Sequence, residues 1–286
     1  MSIPKPWQAE AYNQVPESEN RIHSDEVARR YGFRGGLVPG VTVTAYLCHP
    51  AVDAWEMDWL ARGRCRAVVS TPLYDQKRFR VECVDATARA YDGVLTDEDG
   101  TRCATGHVKL PETAPAPPAM RGDPRIGSDF RRPHASREVM EELRERGMHA
   151  LRARWNSAAE ITDYLRDASE MPKLLRPDGG GYANTAFVLG LTNWALAANV
   201  RLDAWLHLET ESQNHRPIPR DSELVVESSV ADLFEKKGHE FVDLDVEAYL
   251  LDTRDPVMSA RLRAIYQLRG SSAATLPPPP AESYST

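Results

Sequence analysis

Apolar residues along this chain return at two periods, and the switch between them sets the expected elements. From Val41 to about Ala61, the residues Ala45, Tyr46, His49, Val52 and Trp55 share one face at helical spacing. Pro50 falls inside that run and is expected to kink or split the helix. A second apolar run, Tyr182 to about Val200, reads as another buried helix. Strand-like runs follow each one. After the first come 64–70, 78–89 and 101–110, with Phe79, Val81 and Cys83 alternating and Asp99-Gly100 closing a hairpin. After the second come 204–213, 223–234, 239–251 and 256–268. Residues 5–13 are expected to add a short first strand. Ser24 and Asp25 offer N-caps for a short helix through Arg30, and Ser136 caps a charged helix expected to run to Trp155.

The order of elements repeats. Gly179-Gly180-Gly181 precedes the second apolar helix as Gly35-Gly36 and Gly40 precede the first, and Pro72 with Asp75 is echoed by Pro219 with Asp221. A long helix followed by antiparallel strands, twice over, predicts an α+β protein of two similar halves, 1–112 and 136–270. The stretch between them, 113–135, is rich in proline (Pro115, Pro117, Pro118, Pro124, Pro133) and reads as an extended, partly stiff linker. The tail 271–286, with Pro277 to Pro280, is expected to be disordered.

Composition narrows the function classes. A net charge of −7 argues against a nucleic-acid partner, because phosphate binding needs concentrated Lys and Arg. The most apolar stretch, 186–200, is interrupted by Thr192 and Asn193 and is too short to span a bilayer. With no apolar run before Lys5, a secretory signal is not expected, and the cytoplasm is the expected location. Cys48, Cys65, Cys83 and Cys103 show no CxxC spacing, so reduced thiols and no zinc are expected. No set of His, Asp or Glu has ligand spacing, and no metal or separate cofactor is expected.

One stretch carries chemistry: Ser18-Glu19-Asn20-Arg21-Ile22-His23, then Ala28, then Gly35-Gly36-Leu37-Val38-Pro39-Gly40. His23 is a candidate proton-transfer group, since imidazole titrates near neutrality; it can equally cap the following helix. Asn20 can orient a water or His23, or simply stabilise its own turn. Gly40, with the Val41 amide beside it, opens a helix whose unpaired N–H groups favour developing negative charge. Pro39 offers no N–H there.

The stretch resembles the signature of MaoC-like hot-dog proteins, the family of the (R)-specific enoyl-CoA hydratases. Asn20, Ile22, His23, Ala28 and Gly40 match that signature. Ser18 stands where the family has Asp, Arg21 where it has Pro, and Pro39 where it has His. The resemblance implies a double hot-dog, with the site at the seam between halves, an acyl tunnel there, one site per chain, and coenzyme A as part of the substrate. Further pairing into a homodimer is compatible with it.

Loss of the Asp matters because a serine hydroxyl cannot take a proton from water as a carboxylate does. The resemblance with that change implies acyl-CoA thioester hydrolysis, with His23 and Asn20 positioning water and Gly40 and Val41 holding the carbonyl. Enoyl-CoA hydration, with Glu17 or Glu19 in the missing role, and non-catalytic binding of acyl thioesters are the alternatives. Asn184 can position water from the far wall or cap its helix. Arg29 and Arg34 can meet coenzyme A phosphates or lie on a solvated face.

Overall fold

The computed structural model describes residues 2–156, 159 and 161–270. Ten strands form one antiparallel sheet in the order β1-β3-β4-β5-β2-β7-β10-β9-β8-β6. The first five are β1 (Trp7–Glu10), β2 (Arg64–Val69), β3 (Arg78–Val84), β4 (Ala90–Asp97) and β5 (Arg102–Lys109). The second five are β6 (Leu151–Arg154), β7 (Leu206–Asn214), β8 (Glu223–Lys236), β9 (His239–Leu250) and β10 (Pro256–Gln267). Read outward from the middle, the order 2-5-4-3-1 on one side is mirrored by 7-10-9-8-6 on the other. The halves therefore meet edge to edge, β2 against β7, with Arg64 opposite Gln213 and Val68 opposite Glu209.

Two long helices, α2 (Gly40–Arg62) and α4 (Thr185–Asn199), pack against each other and against the sheet. Short helices α1 (Asp25–Arg30) and α3 (Arg137–Arg146) precede them. Ser24 and Ser136 cap these as the sequence implies, each side chain accepting an amide three residues on. One core gathers around α2 and takes in Ile161, Tyr164, Leu165 and Leu189 of the second half, and another gathers around α4.

The first-half loop crosses to the second half: Ile22, Val27, Ala28 and Leu37 pack with Ala204, Phe241, Ile265 and Leu268. The second-half loop makes the converse crossing, and Tyr164 meets His49 of α2 at 2.9 Å. Charges on alternate positions fasten the central strands. Arg66 pairs with Glu209 across the β2–β7 seam at 2.7 Å, and Arg263 and Arg261 pair with Asp243 and Asp245, each at 2.7 Å.

Three elements differ from expectation. The helix expected to 155 stops at Arg146, because Gly147 takes φ 88, and the chain re-enters the sheet as β6. The run 78–89 ends at Val84, and β4, which its polar composition hid, occupies 90–97. Pro50 leaves α2 unbroken: the Tyr46 carbonyl it deprives of a partner accepts the Trp7 indole N–H at 3.0 Å. The kink lies six residues later, at Glu56, with φ 43 and ψ −122. Within the segment 113–135, the Glu227 carboxylate on β8 accepts the amides of Arg121, Gly122 and Asp123. The tail 271–286 lies outside the described residues.

Candidate functional site

The Asn20–His23 turn is a single 3-10 turn capped by Asn20, whose side chain accepts from the Ile22 amide. His23 Nδ1 lies 2.7 Å from the Leu37 carbonyl. A carbonyl only accepts, so Nδ1 carries the proton and Nε2 presents its lone pair. That lone pair faces Asn20 Nδ2 at 3.4 Å. Burial pushes the His23 pKa down to about 4, against the opposing pull of the Leu37 carbonyl. The imidazole is therefore neutral at pH 7 and able to accept a proton. Gly36 makes the approach of 23 to 37 possible, since a Cβ there would lie 2.1 Å from the His23 carbonyl oxygen.

Leu37 leads through Pro39 into α2, whose first turn has no side-chain cap. The Pro39 carbonyl takes the amides of Thr42 and Val43. Among the described residues, the Gly40 and Val41 amides find no partner. The other long helix differs at its third amide, while its first two, those of Thr185 and Ala186, are likewise without a partner among the described residues. At α4 Asn184 is the N-cap, its Oδ1 accepting from Phe187 N at 3.0 Å while its Nδ2 donates to the Ile161 and Thr162 carbonyls. Its carboxamide is thereby engaged in capping and in holding its own loop, apart from the His23 turn.

The second half supplies the opposite wall. Asn20 Oδ1 accepts from Trp205 N at 3.3 Å and Nδ2 donates to the Trp205 carbonyl at 3.2 Å. Two residues on, His207 closes over Gly40: a Cβ at Gly40 would lie 3.0 Å from the His207 Cβ, Cδ2 and carbonyl oxygen. His207 Nδ1 meets Asn193 Oδ1 of α4 at 2.8 Å, and Nε2 meets the Thr210 hydroxyl. Burial pushes the His207 pKa down to about 3. Simple alternation would put His207 and Thr210 on opposite faces of β7. A register shift opposite Arg263 and Ala264, which skips Leu208, brings both inward.

The remaining sequence candidates occupy the rim. Ser18 Oγ donates to the Asn20 carbonyl at 3.2 Å. Glu19 is gripped by Arg132 through two bonds of 2.8 and 2.9 Å, and Glu17 is solvent-exposed with Arg21 at 3.9 Å. Arg29 pairs with Asp25 at 2.8 Å, whereas the Arg34 guanidinium is without a partner among the described residues. A crevice of about 10 Å³ at the start of α4, lined by Leu60, Thr185, Asn214 and Arg216, and a surface hollow along Arg78, Phe79 and Thr96 both lie away from His23. Among the described residues no three His, Cys, Asp or Glu side chains are placed to hold a metal. No helix there is long and apolar enough to cross a membrane.

No family model matches the sequence, and no curated protein matches it. Solved structures do. One is a conserved hypothetical protein from Mycobacterium tuberculosis described as having a double hotdog fold. It is 14% identical over 93% of this chain and 96% of its own, with a TM-score of 0.53. The fold is the double hot dog. A putative MaoC domain protein dehydratase from Chloroflexus aurantiacus J-10-fl matches with 8% identity over 93% of this chain and 96% of its own, at a TM-score of 0.54. A tesB protein from Mycobacterium avium subs paratuberculosis matches with 11% identity over 93% and 94%, at a TM-score of 0.51. At these identities the likeness concerns the double hot-dog architecture alone.

The sequence pattern marks the His23 turn and the start of α2 but not the wall facing them. His207 stands alone in a strand, and Asn193 is one polar residue in an apolar helix. The only trace of their meeting is a break in alternation between His207 and Thr210.

Proposed function

We propose that the chain hydrolyses an acyl-CoA thioester at the seam, where the uncapped start of α2 meets His23. The open Gly40 and Val41 amides, beside an imidazole kept neutral, carry this reading; the first two amides of α4, Thr185 and Ala186, are equally open, but the second half has no counterpart of the Asn20–His23 turn to set against them. The thioester carbonyl oxygen sits at these amides. Water accepts from Asn20 Nδ2 and donates to His23 Nε2, taking the place of the long Asn20–His23 contact.

Attack forms the bond from water oxygen to carbonyl carbon and moves a proton to Nε2. The resulting oxyanion is held by the two amides, a single such donor being worth about 3 kcal/mol in the transition state. Collapse breaks the C–S bond, and the thiolate leaves with the proton from His23, giving a carboxylic acid and coenzyme A. Arg34, aided by Arg29, meets the coenzyme phosphates.

Hydration of an enoyl-CoA has weaker support. It needs a carboxylate, and Glu19 is bound to Arg132 while Glu17 points to solvent. Offering a saturated acyl-CoA and a trans-2-enoyl-CoA separates the readings. Thiol release from the saturated substrate is the expected result. Loss of enoyl absorbance without thiol would replace hydrolysis by hydration, and no change in either would leave binding alone.

A further inference from the structure

We infer that His207 is a positioning residue of the proposed thioester site, seating Gly40 through an imidazole pinned on both nitrogens by Asn193 and Thr210. The inference rests on the hydrolase reading of the α2 N-terminus. The start of α2 has no side-chain cap, so packing must fix the direction of its open amides. The surface against which Gly40 packs is His207, whose Cβ, Cδ2 and carbonyl oxygen would each stand 3.0 Å from a Cβ on the glycine, tighter than an ordinary contact.

The Cβ and the carbonyl oxygen are held by β7 itself, but the Cδ2 part of that surface stays in place only while the ring cannot turn about its Cβ–Cγ bond. Asn193 holds Nδ1 at 2.8 Å from one helix, and the Thr210 hydroxyl holds Nε2 from the same strand. With Nδ1–H donating to Asn193 Oδ1, Nε2 accepts from Thr210, and both nitrogens of a neutral ring are used. The β7 bulge makes this possible, since it alone brings residues three apart to one face. A ring buried to 8% exposure, next to an oxyanion site that tolerates displacements of only about 0.5 Å, acts on the reaction without touching substrate.

The experiment compares wild type, Thr210→Val, Thr210→Ser, Asn193→Ala and the Thr210→Val/Asn193→Ala pair in steady-state thiol release from a saturated acyl-CoA. Folding is checked by circular dichroism. The expected result for Thr210→Val is a kcat roughly tenfold lower, with KM within about twofold, because the loss falls on the transition state. Thr210→Ser restores most of it. Asn193→Ala behaves like Thr210→Val, and the double variant is no worse than about the poorer single, since both pins act on one ring. A Thr210→Val enzyme with wild-type kcat, or with its loss confined to KM, overturns the inference and leaves the hydrolase reading standing. Wild-type protein that releases no thiol removes the reading and the inference together. If Thr210→Val does not fold, Asn193→Ala decides the matter by the same kcat criterion.

Discussion

The Asn20 carboxamide engages both backbone groups of Trp205, accepting from its N–H and donating to its carbonyl at 3.3 and 3.2 Å. One side chain of the first half thus completes the backbone bonding of the second, beside His23. Asn20→Asp keeps the acceptor, loses the donor to both Trp205 and His23, and places a carboxylate near the imidazole. Such a charge stabilises the protonated ring. The acid limb of kcat/KM is expected to move up by about one pH unit or more, with turnover roughly tenfold lower at pH 7. A profile superimposable on wild type would remove Asn20 from the site.

In the proposed hydrolysis His23 sets the wild-type acid limb. With its pKa near 4, kcat/KM should be level from neutrality to about pH 5 and halve near pH 4. His23→Ala should abolish turnover in a folded protein.

The same burial has a stability cost on the acid side. In the unfolded chain the imidazole gains a proton below about 6.5, whereas the folded one resists until about 4. Stability is therefore full above pH 6.5 and falls as the pH drops through that window, by about 3 kcal/mol for His23. His207 extends the decline toward pH 3. Denaturant midpoints measured at pH 7, 5 and 4 check this, and a flat series would contradict the neutral, enclosed state of both rings.

Glu19→Gln tests the carboxylate question. The Arg132 pair is half-exposed, so losing its charge should cost under about 1 kcal/mol. Thiol release should stay within about twofold of wild type. Loss of enoyl hydration in this variant alone would instead place Glu19 in the chemistry.

Glu227→Ala should loosen the segment that joins the halves. It strands three amides now bonded to one carboxylate at 2.6, 2.6 and 2.9 Å. A loss of about 2–3 kcal/mol in unfolding experiments is expected, together with faster proteolysis within 113–135.

Local signals carried much of this architecture into the sequence. Alternating or apolar runs marked eight of the ten strands in place, counting the short first one, and the glycines marked where both long helices begin. The misses share a cause. β4 contains Asp92, Gly93 and Thr96, and β6 is Leu-Arg-Ala-Arg; only pairing with neighbours makes either one a strand. Pro50 was harmless because Trp7, more than forty residues away, supplies the missing donor. The site divides in the same way. Asn20, His23 and Gly40 lie within about one turn of an informative motif, whereas His207, Asn193 and Thr210 converge only through a bulge and a helix from the other half.

The two crossing loops have diverged, and covalent fusion is what permits it. In an assembly of identical subunits, any substitution in one crossing loop appears in its mate as well. Here Asn184 gives one long helix a side-chain cap while Pro39 gives the other none, and the Tyr164 loop bonds His49 where the Asn20 loop bonds the Trp205 backbone. One polypeptide can thus build the two ends of its pseudo-twofold axis from different side chains.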